Sequence, residues 1–483
     1  MVSVIWDQGL ETRAPPTVAM SNFVTTLRRW IAARAERYVQ EGLKSIHHKL
    51  DRWLLSEAHR QLDANKAAGI DGVSKAAYAQ KLSDNVDDLV RRVRSQTYRA
   101  PPVRHVDIPK PDGSTRPLGI PTYEDKVLQK AFVLLVEPVF EREFRDCSYG
   151  YREGRSCHQA VAAVDRAIHG GCHWIIELDI KNYFGSIPHQ PLRDMFRRRA
   201  ERSETDSRRL PRRGERSESI KDGVLNRLIL GWLKAGALRE GEWESKEEGT
   251  PQGGIVSPLL ANLYLHEVLD TWFEDEVKPR LKGRAHLVRY ADDAVLCFER
   301  EEDAARVFEV LAKRFAKHGL TLHPEKTRRV DFRPPPPGKR DAQPRSFSFL
   351  GFTFYWGKSR YGKPVNKVKT DRKRYGRALG AIYEWCQKHR HEPIKEQQRR
   401  LSEKVAGHIG YYAVSFNMES LESFIRAVER IWLKWLNRRG APRTLCWKKF
   451  REFQARHPWP KPKIKHKLFG QSIAPTQREL RFT

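Results

Sequence analysis

A Cys-x-x-Cys pair is absent from this 483-residue chain, whose six cysteines are scattered at positions 147, 157, 172, 297, 386 and 446. That spacing argues against a zinc knuckle, a zinc-bound endonuclease module and a disulfide scaffold. Cys157-His158 and Cys172-His173 tempt as ligand pairs, but adjacent residues rarely aim at one ion, and both read as structural. Long apolar runs are missing too. The stretch AFVLLVEPVF (131–140) is broken by Glu137 and Pro138, short of the roughly 18–20 residues a membrane-spanning helix needs. MVSVIWDQGLETRAPP, at the start, lacks the basic-then-apolar order of a secretory signal. Acidic residues are scarce. Sixty Asp and Glu face 90 Lys and Arg, a net charge of +30. A protein this basic is expected to meet a polyanion, and with no membrane segment that polyanion is nucleic acid. A cytoplasmic, nucleoid-associated placement follows as an expectation.

What is present suffices for folded cores. The hydrophobic fraction is 39%, with 13 Trp, 21 Phe and 15 Tyr, and the length suggests two or three domains. Residues 21–65 read as helical and basic, closed by the turn cluster NKAAGIDGVS (65–74). VRHVDIPKPDGSTRPLGIP (103–121) reads as a hairpin with Lys110 and Arg116 on its arms. HWIIELDIKNYFGSIP (173–188) is a strand whose apolar run ends at Asp179. Glycine-rich loop chemistry at 249–254 runs on into a helix, and a further helix is expected over 301–318. Residues 197–222 form a charged insertion, solvated or RNA-contacting, and RPPPPGKRDAQPR (333–345) is a linker or loop. From residue 361 onward 29 basic residues face 10 acidic ones, so about +19 of the charge lies in the last quarter. There SLESFIRAVERIWLKWLNRRG (420–440) predicts a helix with one apolar stripe, capped by Ser420 and Gly440, its aromatics in the core.

HLVRYADDAVLCF (286–298) poses the functional question. Asp292-Asp293 lies between two apolar half-strands, so the pair is either a solvated turn or a metal site, because two buried carboxylates repel unless a cation neutralises them.

The strand ending in Asp179 and the later YADD resemble the two carboxylate motifs of a palm-type polymerase. With AAGIDGVS, IPKPDGSTRPLGIP, YGYREGRSCHQAV, LDIKNYFGSI, EGTPQGGIVSPLLANLYLHEVLD, RYADDAVLCF, GLTLHPEKTR and FSFLGFTF in order, the chain resembles a bacterial group II intron-encoded reverse transcriptase/maturase, from about Asn65 to Lys467. The resemblance implies an α+β right-hand polymerase of fingers, palm and thumb. Its expected divisions are an N-terminal helical extension (1–64), fingers and palm (65–358), thumb/maturase (359–440) and a basic tail (441–483). No Cys-x-x-Cys-bearing DNA endonuclease is expected.

The same resemblance implies roles. Asp179, Asp292 and Asp293, with the backbone carbonyl of Ile180, would bind two Mg²⁺ ions, with Mn²⁺ as a substitute. Lys110 and Arg116 would clamp the incoming triphosphate. Phe184 would exclude a 2′ hydroxyl, and Gln252 and Gly253 would lie near the nascent base pair and template. Lys326 stands either near the leaving pyrophosphate or as an ordinary exposed lysine. FSFLGFTF would be the primer-grip strand pair. Asn182 and Gly185 depart from the family's usual Gly and Asp, and tolerance is expected there. Implied partners are intron or other structured RNA, a DNA primer or target, and dNTPs. Two alternatives stay open: a free-standing group II-like reverse transcriptase in phage defence or DNA repair, and a non-catalytic RNA-binding maturase.

Overall fold

The computed structural model describes residues 17–37, 45–109, 115–198, 222–239, 242–244, 249, 253–335, 345–439 and 445–468. Lys110, Gln252, Gly440, most of the charged insertion and most of the proline-rich stretch lie outside them. The fold is mixed α+β. Its strands are β1 (Val103–Pro109), β2 (Thr115–Ile120), β3 (Trp174–Leu178), β4 (Ala237–Arg239), β5 (Glu242–Glu244) and β6 (Ala285–Tyr290). They continue with β7 (Asp293–Phe298), β8 (Arg328–Asp331), β9 (Ser346–Phe349), β10 (Phe352–Lys358) and β11 (Pro364–Thr370). The chain divides into two compact units.

The first unit comprises residues up to 152, 180–272 and 313–321. Its sheet has the order β2-β1-β4-β5, and the expected hairpin is present, with Arg104 opposite Ile120 and Ile108 opposite Arg116. The helix Tyr123–Glu141 buries Val127, Leu128, Phe132, Leu135 and Val139 together, as a helix enclosed on every side must. Expected helical residues 21–65 resolve into helices Thr17–Arg37 and Arg52–Gln61. The second is capped by Asp51, whose carboxylate accepts from the Trp53 and Leu54 amides.

The second unit comprises residues 153–179, 273–312 and 322 onward. One sheet has the order β6-β7-β3-β8 and another the order β11-β10-β9. The helix expected at 420–440 spans Met418–Leu436. Ser420 therefore lies inside it and does not cap it. The residue at the cap, Asn417, uses its side chain elsewhere, accepting from Thr370 N at 2.9 Å and donating to Tyr412 O at 2.9 Å. The predicted stripe is core: Leu421, Phe424, Val428, Trp432 and Trp435 are buried. Part of the expected basic tail packs here as well. Helix Trp447–Arg456 sends Phe450 into the same cluster against Trp432, and the 465–468 backbone is held at residues 413–415.

Candidate active site

Strand β3 runs antiparallel to β7, with Leu178 opposite Ala294. Asp179 is the next residue after β3 and Asp293 is the first of β7, so the two carboxylates stand at the same end of neighbouring strands. The β6–β7 hairpin turns one residue earlier than a turn formed by Asp292-Asp293 would: Tyr290 pairs with Asp293, leaving Ala291 and Asp292 as the turn. Ala291 makes this possible at φ 56°, in the left-handed region that L side chains other than Asn and Asp seldom occupy. The fully buried Arg289 braces it, its guanidinium donating to Ala291 O at 2.9 Å.

Asp293 is solvent-exposed at its surface, yet many protein atoms surround it. Desolvation therefore pushes its carboxyl up to about 6, with the charges of Asp292 and Asp179 adding to the effect and Arg374 and Lys326 opposing it. Lys326 Nζ donates to Asp179 Oδ2 at 3.0 Å. The same loop grips the Asp179 backbone. His323 N donates to Asp179 O at 2.8 Å, Thr327 Oγ1 donates to the same carbonyl at 3.1 Å and accepts from Asp179 N at 3.2 Å. Two residues earlier, Glu177 accepts from Ser348 N at 2.7 Å and from Arg328 Nε. Glu177 thus ties β3 to β9.

The β9–β10 connection is a two-residue turn, Leu350-Gly351, with φ 51° and 80°. Both positions are left-handed, the geometry that matches the twist of a tight hairpin. A Cβ on Gly351 would lie 3.0 Å from Tyr412 Oη, and Tyr411 Oη donates to Leu350 O at 2.8 Å.

Asp179, Asp292, Asp293 and Lys326 thus belong to one unit. Arg116, Ile180, Phe184 and Gly253 belong to the other. Arg116 is exposed on β2 and Ile180 is buried. Phe184 is half-buried in the short helix Tyr183–Ser186, which is anchored where Tyr183 Oη donates to Ala261 O at 2.5 Å. Gly253, at φ 114°, lies against β2, where an added Cβ would meet Gly119 O at 2.6 Å. Residues 182 and 185, where the chain departs from the family pattern, lie against each other. A Cβ on Gly185 would meet Asn182 Oδ1 at 2.8 Å, and Asn182 itself is left-handed. The atoms such a Cβ would meet are the exposed far end of the Asn182 side chain, which can give way.

Sequence reading missed Glu177, His323, Thr327, Arg289 and Arg374. Thr327 stood next to Lys326 in HPEKTR and was the one with a signal. Among the described residues, no three His, Cys, Asp or Glu side chains gather closely enough to hold an ion, which covers Asp179, Asp292 and Asp293 as well as Cys157-His158 and Cys172-His173. No helix among them is long and apolar enough to cross a membrane.

A family described as reverse transcriptase (RNA-dependent DNA polymerase) matches residues 108–354. The chain is 31% identical to group II intron-encoded protein LtrA of Lactococcus lactis over 300 residues, 59% of this chain and 47% of that protein. It is 31% identical to protein YkfC of Escherichia coli over 311 residues, 57% of this chain and 75% of that one. An uncharacterized 91 kDa protein in the cob intron of Schizosaccharomyces pombe is 34% identical over 226 residues, 47% of this chain and 25% of that protein. The match thus spans about half the length of LtrA. The chain belongs to the reverse transcriptase (RNA-dependent DNA polymerase) family.

Proposed function

We propose that the chain is an RNA-directed DNA polymerase that adds dNTPs to a primer 3′ hydroxyl, and that it also binds intron RNA as a splicing maturase. The observation that carries this reading is the placement of Asp179 and Asp293 at one end of adjacent strands, with Asp292 in the turn between β6 and β7. Family membership and the Asp-Asp repulsion at Asp293 support it. By chemistry the donor set suits a hard divalent cation, since all its ligand atoms are oxygens and a cation would offset the charges of Asp292 and Asp179 on Asp293, although the three carboxylates are not gathered into an ion site here.

Asp179, Asp292 and Asp293, with the Ile180 carbonyl, would hold Mg²⁺. Bound there, the metal supplies Lewis-acid activation of the hydroxyl and charge neutralisation of the triphosphate. Lys326 balances the charge of Asp179 and then that of the departing pyrophosphate. Arg116 and Lys110 orient the triphosphate. Phe184 crowds the sugar against a 2′ hydroxyl, and Gln252 and Gly253 line the nascent pair. The chain is read as a right-hand polymerase of fingers, palm and thumb, whose basic last quarter contacts RNA phosphates.

The test is extension of a DNA primer annealed to RNA by the purified chain. Incorporation of dNTPs that stops with chelator and resumes with Mg²⁺ is expected. A chain that binds the duplex but incorporates nothing with Mg²⁺ or Mn²⁺ overturns the reading.

A further inference from the structure

A buried polar relay runs through the first unit beneath the glycine-rich loop. Asp125 and Gln129 lie four residues apart on helix Tyr123–Glu141, hence on one face, and are 2% and 3% exposed. Asp125 Oδ1 accepts from Tyr98 Oη and from Trp232 Nε1, each at 2.7 Å. Its Oδ2 accepts from Gln129 Nε2 at 2.9 Å. The other end of that amide faces the loop. Gln129 Oε1 accepts from Ile255 N at 2.7 Å and from Val256 N at 3.3 Å. Two residues before Ile255, Gly253 rests on the Gly119 carbonyl of β2, three residues along the strand from Arg116.

We propose that Asp125 and Gln129 are positioning residues for nucleotide selection, which hold the 253–256 backbone against the strand that carries Arg116. The proposal rests on the reading of Gly253 as part of the site for the nascent pair. A buried carboxylate is costly, and an apolar residue of similar size would pack there at lower cost. What Asp125 contributes is direction. An isolated glutamine amide can rotate by half a turn and present Nε2 to the two N–H groups. With Oδ1 saturated by Tyr98 and Trp232, Asp125 offers Oδ2 to Nε2 alone and leaves Oε1 for Ile255 and Val256. The groups facing Asp125 are Tyr98, Trp232, Gln129 and the nearby charge of Glu124, which Arg92 pairs at 2.8 Å.

Gln129→Glu tests this, because it keeps the shape and the acceptor and removes only the donor. Two carboxylates at hydrogen-bond distance share one proton, so near about pH 7 the variant restores the missing bond, and near about pH 9 it loses it. Steady-state extension should give a dNTP KM near wild type at the lower pH and raised about tenfold at the higher, with kcat changed far less. Wild type should show no such split. Amide exchange over 253–256, corrected for the intrinsic rate, should accelerate in the variant only at the higher pH. Gln129→Met should be impaired at both. Wild-type KM and exchange in Gln129→Glu at both pH values overturn the proposal. So does a pH-independent loss of kcat with a lowered Tm, which is what a plain packing role gives. If wild type itself extends no primer, the polymerase reading fails, and the exchange measurement still decides whether Gln129 holds the loop.

Discussion

Lys326 Nζ lies 3.0 Å from Asp179 Oδ2, on a loop that also binds the Asp179 amide and carbonyl. The lysine therefore competes with a cation for the same carboxylate. Lys326→Ala should lower the Mg²⁺ concentration needed for half-maximal extension while reducing kcat by about 10- to 100-fold, since the leaving group loses a cation. Titration of single-nucleotide addition with Mg²⁺ separates the two effects. A raised Mg²⁺ requirement with unchanged kcat contradicts this role.

Asp293 makes stability depend on pH. Its carboxyl is raised to about 6 in the fold, above its ordinary value of 3.8. The folded protein therefore binds the proton more tightly than the unfolded chain, and stability falls as pH rises from about 4 to about 6. Asp293→Asn should remove that loss. Without metal, the variant's Tm should equal wild type near pH 4 and exceed it at pH 7, and added Mg²⁺ should raise the Tm of wild type alone. A Tm difference that does not change with pH contradicts the raised Asp293 carboxyl, to which desolvation contributes most and the charges of Asp292 and Asp179 add.

Phe184 sits on a short helix pinned by Tyr183, so trimming its ring should leave the backbone in place. Phe184→Val should raise the rNTP to dNTP ratio of kcat/KM by about tenfold or more, the size of a lost steric exclusion. Competition between matched rNTP and dNTP measures it. An unchanged ratio with activity retained makes Phe184 packing only.

The carboxylate strands were legible in the sequence, because the runs ending at Asp179 and flanking Asp292-Asp293 are short, apolar, rich in β-branched residues and bounded by polar turn residues. The exact turn was not, since nothing in the composition marks Ala291 as left-handed; its support comes from Arg289. The Asp125–Gln129 relay was hidden for a related reason. Its partners Tyr98, Trp232 and Ile255 come from distant segments, and pairing across such separations has no local pattern. The same holds for the C-terminal stretch. Phe450 and Leu468 looked like parts of a basic tail until packing buried them.

That packing sharpens the test of RNA binding. Lys461, Lys463, Lys465 and Lys467 are exposed, while the backbone of Lys465 is held by Ala413 O at 2.9 Å. Replacing all four by Gln leaves the backbone bonds intact. Affinity for structured intron RNA should fall, and the slope of log K against log salt should flatten by up to about 3–4. Extension on a short annealed primer should stay near wild type. Unchanged affinity and slope at physiological salt remove this segment from the RNA grip.

The central claim is that Asp179, Asp292 and Asp293 form one nucleotidyl-transfer site, and Asp292→Asn probes it with the least disturbance, because Asp292 lies in a turn and pairs in no strand. The measurement is single-turnover addition of one dNTP to a primer pre-bound on RNA template, with saturating Mg²⁺, alongside duplex affinity. The account predicts a rate reduced by about 1000-fold or more with affinity within about twofold, since one ligand charge is lost among some thirty net positive charges. Addition at the wild-type rate by a correctly folded Asp292→Asn protein contradicts it.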